Sequence, residues 1–148
     1  MNKFAKQYSL KYKFSTIAAE ELKDSKCLFD FCQQLFNEDT RYLFEEIFAV
    51  YMDASNQVKG FMKIGEGGMN NVVCDPKKVF MGALACAATS IGICHNHPSG
   101  NPRPSQDDRN LTKKLVAAAK LLDIVFVDHI ICGRNCYYSF RDHGELFL

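Results

Sequence analysis

Residues 95–108, HNHPSGNPRPSQDD, carry two of the chain's four histidines, three of its four prolines and a pair of carboxylates. An apolar segment, residues 90–94, runs directly into this stretch. On a strand, residues two apart project from the same face, so His95 and His97 point the same way and Asn96 points the other way. Pro98 cannot donate to a sheet ladder, so the strand is expected to end there.

The loop after these histidines is turned by Gly100 and stiffened by proline, and it returns to a helix. The first turn of that helix offers a carboxylate, either Asp107 or Asp108. Two histidines and one aspartate leave the fourth position of a tetrahedral zinc site open to water, as in catalytic zinc sites. Zinc lowers the pKa of such a water to about 7 and polarises a carbonyl oxygen.

The end of the stretch also has a purely structural interpretation. Ser105 and Asp108 have the spacing of a helix N-cap with a carboxylate near the positive end of the helix dipole. Capping does not explain the two histidines, and a chance histidine pair does not explain the rigid return loop. The whole pattern therefore favours a metal site, and Ser105 can serve both roles, with its backbone opening the helix and its hydroxyl facing the metal water.

The composition is that of one soluble domain with a single core: 148 residues, 47% hydrophobic and 24% charged. A net charge of +1 gives no overall attraction to nucleic acid or to a membrane. No apolar run approaches the roughly 20 residues that span a bilayer, and the basic N-terminus lacks the apolar core of a secretory signal. Seven cysteines without a Cys-x-x-Cys pair predict buried, reduced thiols and a cytoplasmic protein.

Periodicity and turn residues predict the element order α-β-β-α-β-α-β-β, which indicates one mixed sheet with helices packed against it. The expected helices are 25–36, 77–88 and 105–122, and the expected strands are 44–51, 58–64, 90–95, 124–132 and 136–140.

At this level of detail the chain resembles a known family. HNHPSG…PS..D is similar to the JAMM (JAB/MPN) metal motif in the form shared by RadC-type proteins. The segments SIGICHNH and LLDIVFVDHIICGRNCYYSF extend the resemblance over roughly residues 40–148. It implies an α/β fold of three layers, α/β/α, with a central mixed sheet like that of cytidine deaminases. Residues 1–40 would form an N-terminal arm and a helix packed on a domain at 41–148, without the helix-hairpin-helix module of full-length RadC proteins.

The resemblance also implies the site. It places Zn²⁺ on His95, His97 and Asp108, and Ser105 beside the metal water as a donor to the oxyanion. The relatives with proven chemistry are metallo-isopeptidases that hydrolyse amide bonds, often at ubiquitin-like C-termini, which implies a protein or peptide substrate. The RadC branch carries a historical DNA-repair label.

One residue of the family's machinery has no obvious counterpart. These hydrolases carry a glutamate that holds the water and shuttles its proton, and the comparable position here is Met62 or Lys63. Glu66 is the nearest acid, on a glycine-flanked loop, and is the predicted general base. Glu45 and Glu46, on the preceding strand, are weaker candidates.

Two functions therefore remain open: a zinc-dependent peptide or isopeptide hydrolase, and a catalytically weak or inactive zinc-binding module that binds DNA or a protein partner. A basic cluster beside the motif is more typical of a solvated helix face than of a nucleic-acid groove. It consists of Arg103, Arg109, Lys113 and Lys114. A nucleobase deaminase is excluded, because that chemistry needs His-x-Glu and Pro-Cys-x-x-Cys. Asp128 and His129 are expected to support the core or a metal ligand.

Overall fold

The computed structural model describes residues 4–68 and 73–146, and within these ranges eight elements follow one another in the predicted order. They are α1 (Ser25–Gln33), β1 (Glu46–Met52), β2 (Val58–Glu66), α2 (Pro76–Ala85), β3 (Ser90–Asn96), α3 (Gln106–Leu121), β4 (Val125–Cys132) and β5 (Tyr137–Ser139). Asp24, Asp75 and Ser105 cap the three helices, each with a side-chain oxygen that accepts a backbone N–H of the first turn.

The strands form a five-stranded sheet in the order β2-β1-β3-β4-β5. β1 runs antiparallel to both of its neighbours, β3 and β4 are parallel, and β5 is antiparallel to β4. The parallel pair is connected by α3, because parallel neighbours require a crossover. The α/β class and the central mixed sheet predicted from the sequence are confirmed.

Helices cover both faces of this sheet. We call the face under α2 and α3 the α3 face, and its core includes Ile47, Ile93 and Leu115. We call the opposite face the α1 face, and its core includes Phe31 and Phe48. The central strands β1 and β3 are therefore buried on both sides, and helices on the two faces give the three layers expected from the sequence.

Adjacent residues at the ends of β1 and β3 point to opposite faces of the sheet. Ile47 lies opposite His95 in the antiparallel register, and Ile47 belongs to the α3-face core. His95 and, one alternation further out, Glu45 therefore face α3. Glu46 and Asn96 face α1, where the side-chain Oδ1 of Asn96 accepts a hydrogen bond from the backbone N–H of Glu46 at 2.7 Å.

The loop between β3 and α3 is fastened to the end of β4. The backbone N–H of His97 donates to Cys132 O at 3.0 Å, and that of Arg134 donates to Gly100 O at 2.9 Å. Gly100 has a φ of +81°, and a Cβ added at Gly133 would lie 2.5 Å from Gly100 O. Both positions thus require glycine, and their close contact returns the loop to the start of α3.

The N-terminal residues differ from the domain in structure. Residues 4–20 form no helix or strand and are largely exposed. Glu21 makes an isolated bridge to Gln57, and Leu22 is buried in the α1-face core. From there α1 packs directly on the sheet as its third layer.

The structure also bears on the expectations about membranes and thiols. Within residues 4–68 and 73–146, no helix combines the length and the apolar character that a bilayer crossing requires. All seven cysteines are free thiols, and three of them, Cys32, Cys94 and Cys132, are buried on the α1 face. Burial raises the pKa of the Cys32 and Cys132 thiols well above its usual value, which favours the unreactive protonated form.

Candidate metal centre

The three predicted ligands converge, and a fourth residue joins them. Side-chain donor atoms of Glu45, His95, His97 and Asp108 all lie within 4.8 Å of one another. From His95 Nε2 the distances are 3.0 Å to His97 Nε2, 3.2 Å to Asp108 Oδ1 and 3.5 Å to Glu45 Oε1. His97 Nε2 lies 3.5 Å from Asp108 Oδ2. The cluster is buried except at His97, which is half-buried and lies on the side of the cluster that solvent reaches.

His95 and His97 are positioned by different means. His95 is the penultimate residue of β3, so the sheet fixes its backbone, and its side chain is 1% exposed. His97 follows the strand, and its Nδ1 lies 2.9 Å from the carbonyl oxygen of Asn101 in the return loop. Because a carbonyl only accepts, Nδ1 of His97 carries the proton and the Nε2 lone pair faces the cluster.

Asp108 is held by the same contacts that start α3. Its Oδ2 accepts the backbone N–H of Ser105 and the Ser105 hydroxyl, both at 2.7 Å, while its own N–H donates to Ser105 Oγ at 3.1 Å. This reciprocal capping box leaves Oδ1 directed at His95. Capping and metal ligation, which the sequence presented as alternatives, are therefore compatible in one carboxylate.

Glu45, not Glu66, lies in the cluster. Glu45 continues the ladder one residue before β1, where its carbonyl accepts from Gly67 N at 2.8 Å, and it is 5% exposed. Glu66 ends β2 opposite Glu46, so its side chain belongs to the α1 face. There it forms an ion pair with Lys63 and is about half exposed. The structure thus brings together Glu45 and the histidines, and it does not bring Glu66 to them.

The cluster shifts the protonation equilibria of its members. Burial acts to raise the pKa of the Asp108 carboxyl, but the adjacent His95 and His97 imidazoles and the Ser105 backbone N–H outweigh it and hold that pKa well below its usual range. Burial acts to lower the pKa of the His97 imidazole, and contact with Asp108 reverses this and raises it. Burial raises the pKa of Glu45, with the two histidines opposing the shift. An anionic Asp108 beside two ring nitrogens is an environment that attracts a cation.

The donor set fits zinc. Ligand atoms placed tetrahedrally at about 2.1 Å from Zn²⁺ would lie about 3.4 Å apart. The four distances that start from the histidine Nε2 atoms within the cluster run from 3.0 to 3.5 Å. Two imidazole nitrogens and a carboxylate are also the ligand types that zinc takes in catalytic sites. His95, His97 and Asp108 can therefore hold the metal, with Glu45 facing the remaining position.

A further histidine stands behind the cluster. His129 on β4 is fully buried, and its Nε2 lies 2.8 Å from His95 Nδ1. Burial lowers the pKa of the His129 imidazole well below its usual value, so the ring is neutral at physiological pH. The neighbouring Asp128 faces away and accepts hydrogen bonds from Arg141 N and Ser139 Oγ, which fastens β5 to β4. Of the pair that the sequence singled out, His129 supports the site and Asp128 supports the fold.

A mixed sheet between two helical layers, with two histidines at a strand end and an aspartate at the next helix start, defines a JAB-type α/β domain with a candidate metal centre. A family model described as the RadC-like JAB domain matches residues 22–145, and the chain belongs to that family. The match begins at residue 22, so it includes α1, whereas the resemblance in the sequence predicts a domain boundary between residues 40 and 41.

Curated relatives carry the name UPF0758 protein. One from Streptococcus agalactiae is 41% identical over 102 residues, which cover 69% of this chain and 45% of the relative. One from Alkaliphilus metalliredigens is 40% identical over 118 residues, covering 79% and 51%. One from Flavobacterium johnsoniae is 35% identical over 125 residues, covering 84% and 53%. The chain therefore spans about half the length of the curated relatives it matches.

Proposed function

We propose that this domain is a zinc-dependent hydrolase of peptide or isopeptide bonds. The observation that carries the proposal is the convergence of Glu45, His95, His97 and Asp108, whose donor atoms lie within 4.8 Å of one another in a largely buried site. Three of these residues supply the ligands of an open zinc site, and the fourth supplies a carboxylate where a general base is needed.

Zinc held by His95, His97 and Asp108 would supply Lewis acidity, which polarises the scissile carbonyl and lowers the pKa of an attacking water to about 7. Glu45 would take the water proton at Oε1, 3.5 Å from His95 Nε2, and later deliver it to the leaving amine. Ser105 remains the predicted donor to the oxyanion. Its hydroxyl donates to Asp108 Oδ2, next to the cluster, so this role requires the hydroxyl to rotate from Asp108 toward the substrate.

The same geometry supports a proposal for the substrate class. His97 is half-buried, so a polypeptide substrate can reach the site from the side of His97. Amide hydrolysis needs a polarised carbonyl and a proton for the departing nitrogen. We therefore propose a protein or peptide substrate. Nucleic acid is a weaker candidate, because Arg109 of the basic cluster is paired with Glu145, with Arg109 Nε 2.9 Å from a Glu145 carboxylate oxygen. Seven free thiols support a cytoplasmic location.

The test is metal content combined with a matched pair of glutamate variants. Wild-type protein is expected to contain about one zinc per chain by elemental analysis and to cleave members of a peptide and isopeptide library in a chelator-sensitive manner. Glu45→Gln should keep the zinc and lose about 10²–10⁴-fold in kcat, the usual contribution of a general base. Glu66→Gln is the control and should leave both zinc content and kcat unchanged.

Two outcomes would favour the alternative, a catalytically weak or inactive zinc-binding module. Loss of zinc from Glu45→Gln would make Glu45 a fourth ligand and close the site, as in structural zinc centres. Absence of cleavage by zinc-loaded wild type across the library would leave metal binding without hydrolysis.

A further inference from the structure

A buried chain of hydrogen bonds runs from the start of α3 to the proposed metal ligand His95. The Thr112 hydroxyl lies 2.7 Å from the backbone carbonyl oxygen of Asp108 and 2.7 Å from His129 Nδ1. His129 Nε2 lies 2.8 Å from His95 Nδ1. Thr112 and His129 are fully buried and His95 is 1% exposed, so solvent does not compete for these contacts.

The direction of every bond in this chain follows from its first member. The Asp108 carbonyl can only accept, so it takes the Thr112 hydroxyl proton. The hydroxyl oxygen then accepts from His129 Nδ1–H, which leaves a neutral His129 with a lone pair on Nε2. That lone pair accepts from His95 Nδ1–H, and the lone pair of His95 is consequently on Nε2, directed at His97 and Asp108.

The opposite tautomer of His95 would disable the site. With the proton on Nε2, an N–H bond would point into the cluster, and the lone pair on Nδ1 would face His129 instead. Only the Nδ1–H form can bind a metal through Nε2. The His129 ring is held in the orientation that brings its Nε2 to His95, because it stacks on buried Phe140 with centroids 5.0 Å apart and an interplanar angle of 10°.

We propose that His129, oriented by Thr112, is a positioning residue that holds His95 in the Nδ1–H tautomer and so selects Nε2 as the metal ligand. The inference rests on the proposed metal site. In many metal sites a carboxylate orients the ligand histidine. Here the adjacent carboxylate, Asp128, is engaged with β5, and an imidazole takes that place.

The first test is the tautomer of His95 in metal-free protein, read from the imidazole nitrogen chemical shifts of ¹⁵N-labelled protein by NMR. Wild type should show His95 only as the Nδ1–H form. Thr112→Val removes the hydroxyl that sets the direction of the chain, so His95 should become a mixture of both forms. Zinc affinity, measured by competition with a chromophoric chelator, should fall about 10–100-fold.

Matched variants separate the hydrogen bond from packing. Thr112→Ser keeps the hydroxyl and should retain the single tautomer and zinc affinity within about twofold of wild type. His129→Gln offers a carbonyl that can accept from His95 Nδ1–H, so it should bind zinc more tightly than His129→Leu. Urea denaturation of each metal-free variant reports whether it is folded.

The inference and the proposed function can fail separately. His95 found as the Nε2–H form in wild type, or Thr112→Val with unchanged tautomer and unchanged zinc affinity, would overturn the positioning role. Wild type that binds no zinc contradicts the proposed function. The tautomer measured in metal-free wild type then still decides whether Thr112 and His129 direct His95.

Discussion

The two faces of the sheet use polar residues in opposite ways at the same end of β1 and β3. Glu45 and His95 face α3, and their donor atoms lie 3.5 Å apart in a cluster aimed at one point. Glu46 and Asn96 are the next residues along each strand and face α1. Their side chains bond to the protein itself, since Asn96 Oδ1 accepts from the Glu46 backbone N–H at 2.7 Å and Glu46 Oε1 accepts from Lys63 at 2.6 Å.

The difference shows how neighbouring residues can divide structure from chemistry. A buried polar group with complete hydrogen bonds stabilises the fold and has no capacity left for a ligand. On the α3 face, by contrast, two imidazole Nε2 atoms lie 3.0 Å apart beside a carboxylate, an arrangement that a cation stabilises.

Loss of His95 should abolish tight metal binding. Structural zinc sites with four protein ligands bind with about 10–16 kcal/mol, so one ligand accounts for roughly 3–4 kcal/mol and His95→Ala should weaken zinc binding about 10²–10³-fold. Chelator competition measures the change. Asn96→Ala is the paired control from the opposite face and should keep an affinity close to wild type wherever the protein is folded. Equal losses in the two variants would contradict the division between faces.

Loss of Asn96 should instead lower stability. Besides its bond to Glu46, the Asn96 amide donates to Phe44 O at 2.9 Å and Arg41 O at 2.5 Å, which ties the segment before β1 to the end of β3. Asn96→Ala leaves these buried groups without partners, and the free energy of unfolding of metal-free protein should fall by about 2–4 kcal/mol in urea denaturation.

The control for Asn96 is an exposed asparagine. Asn110 lies on the solvent side of α3, where it accepts from Gln106. Asn110→Ala should change the free energy of unfolding by less than about 0.5 kcal/mol, as is usual for surface positions. An equally small change for Asn96→Ala would show that its three hydrogen bonds do not hold the two strands together.

The sequence predicted those parts of the site that are local in the chain. His97 follows His95 by two residues at the end of one strand, and α3 begins at Gln106, so alternation and proline stiffness suffice to bring Asp108 to them. The element order, the mixed sheet and the capping box are local in the same sense. They depend on periodicity and on short spacings that a single sequence displays.

The residues whose position in the structure differs from the sequence prediction depend on strand register. Glu45 reaches the cluster because Ile47 pairs with His95, a contact between positions 48 residues apart that no local pattern reports. The sequence favours Glu66 as the general base because of its place along the chain, but strand register sets Glu66 opposite Glu46, on the α1 face. The sequence signal that could have identified Glu45 is the alternation of side chains along β1. Glu45 alternates in phase with Ile47, so it shares the face of β1 that carries apolar residues against α3.

A small effect on stability is expected when the Glu45→Gln substitution is moved by one residue, to Glu46→Gln. Glu46 is buried, but its partner Lys63 is 39% exposed, so solvent screens the pair. Glu46→Gln keeps the side-chain shape and the hydrogen-bonding oxygen that accepts from Asn37 N. The free energy of unfolding should fall by about 0.5–1 kcal/mol, with kcat and zinc content unchanged.

A double-mutant cycle with Lys63→Met tests whether Glu45 and Glu46 act on opposite faces of the sheet. Glu46 and Lys63 should show a coupling energy of about 0.5–1 kcal/mol in urea denaturation, whereas Glu45 and Lys63, on opposite faces, should be additive within about 0.5 kcal/mol. If Glu46→Gln lowered kcat as much as Glu45→Gln, side-chain alternation would not separate the two carboxylates. Such a result would contradict the assignment of proton transfer to Glu45 alone, because contacts with Lys63 and Asn37 hold Glu46 on the α1 face.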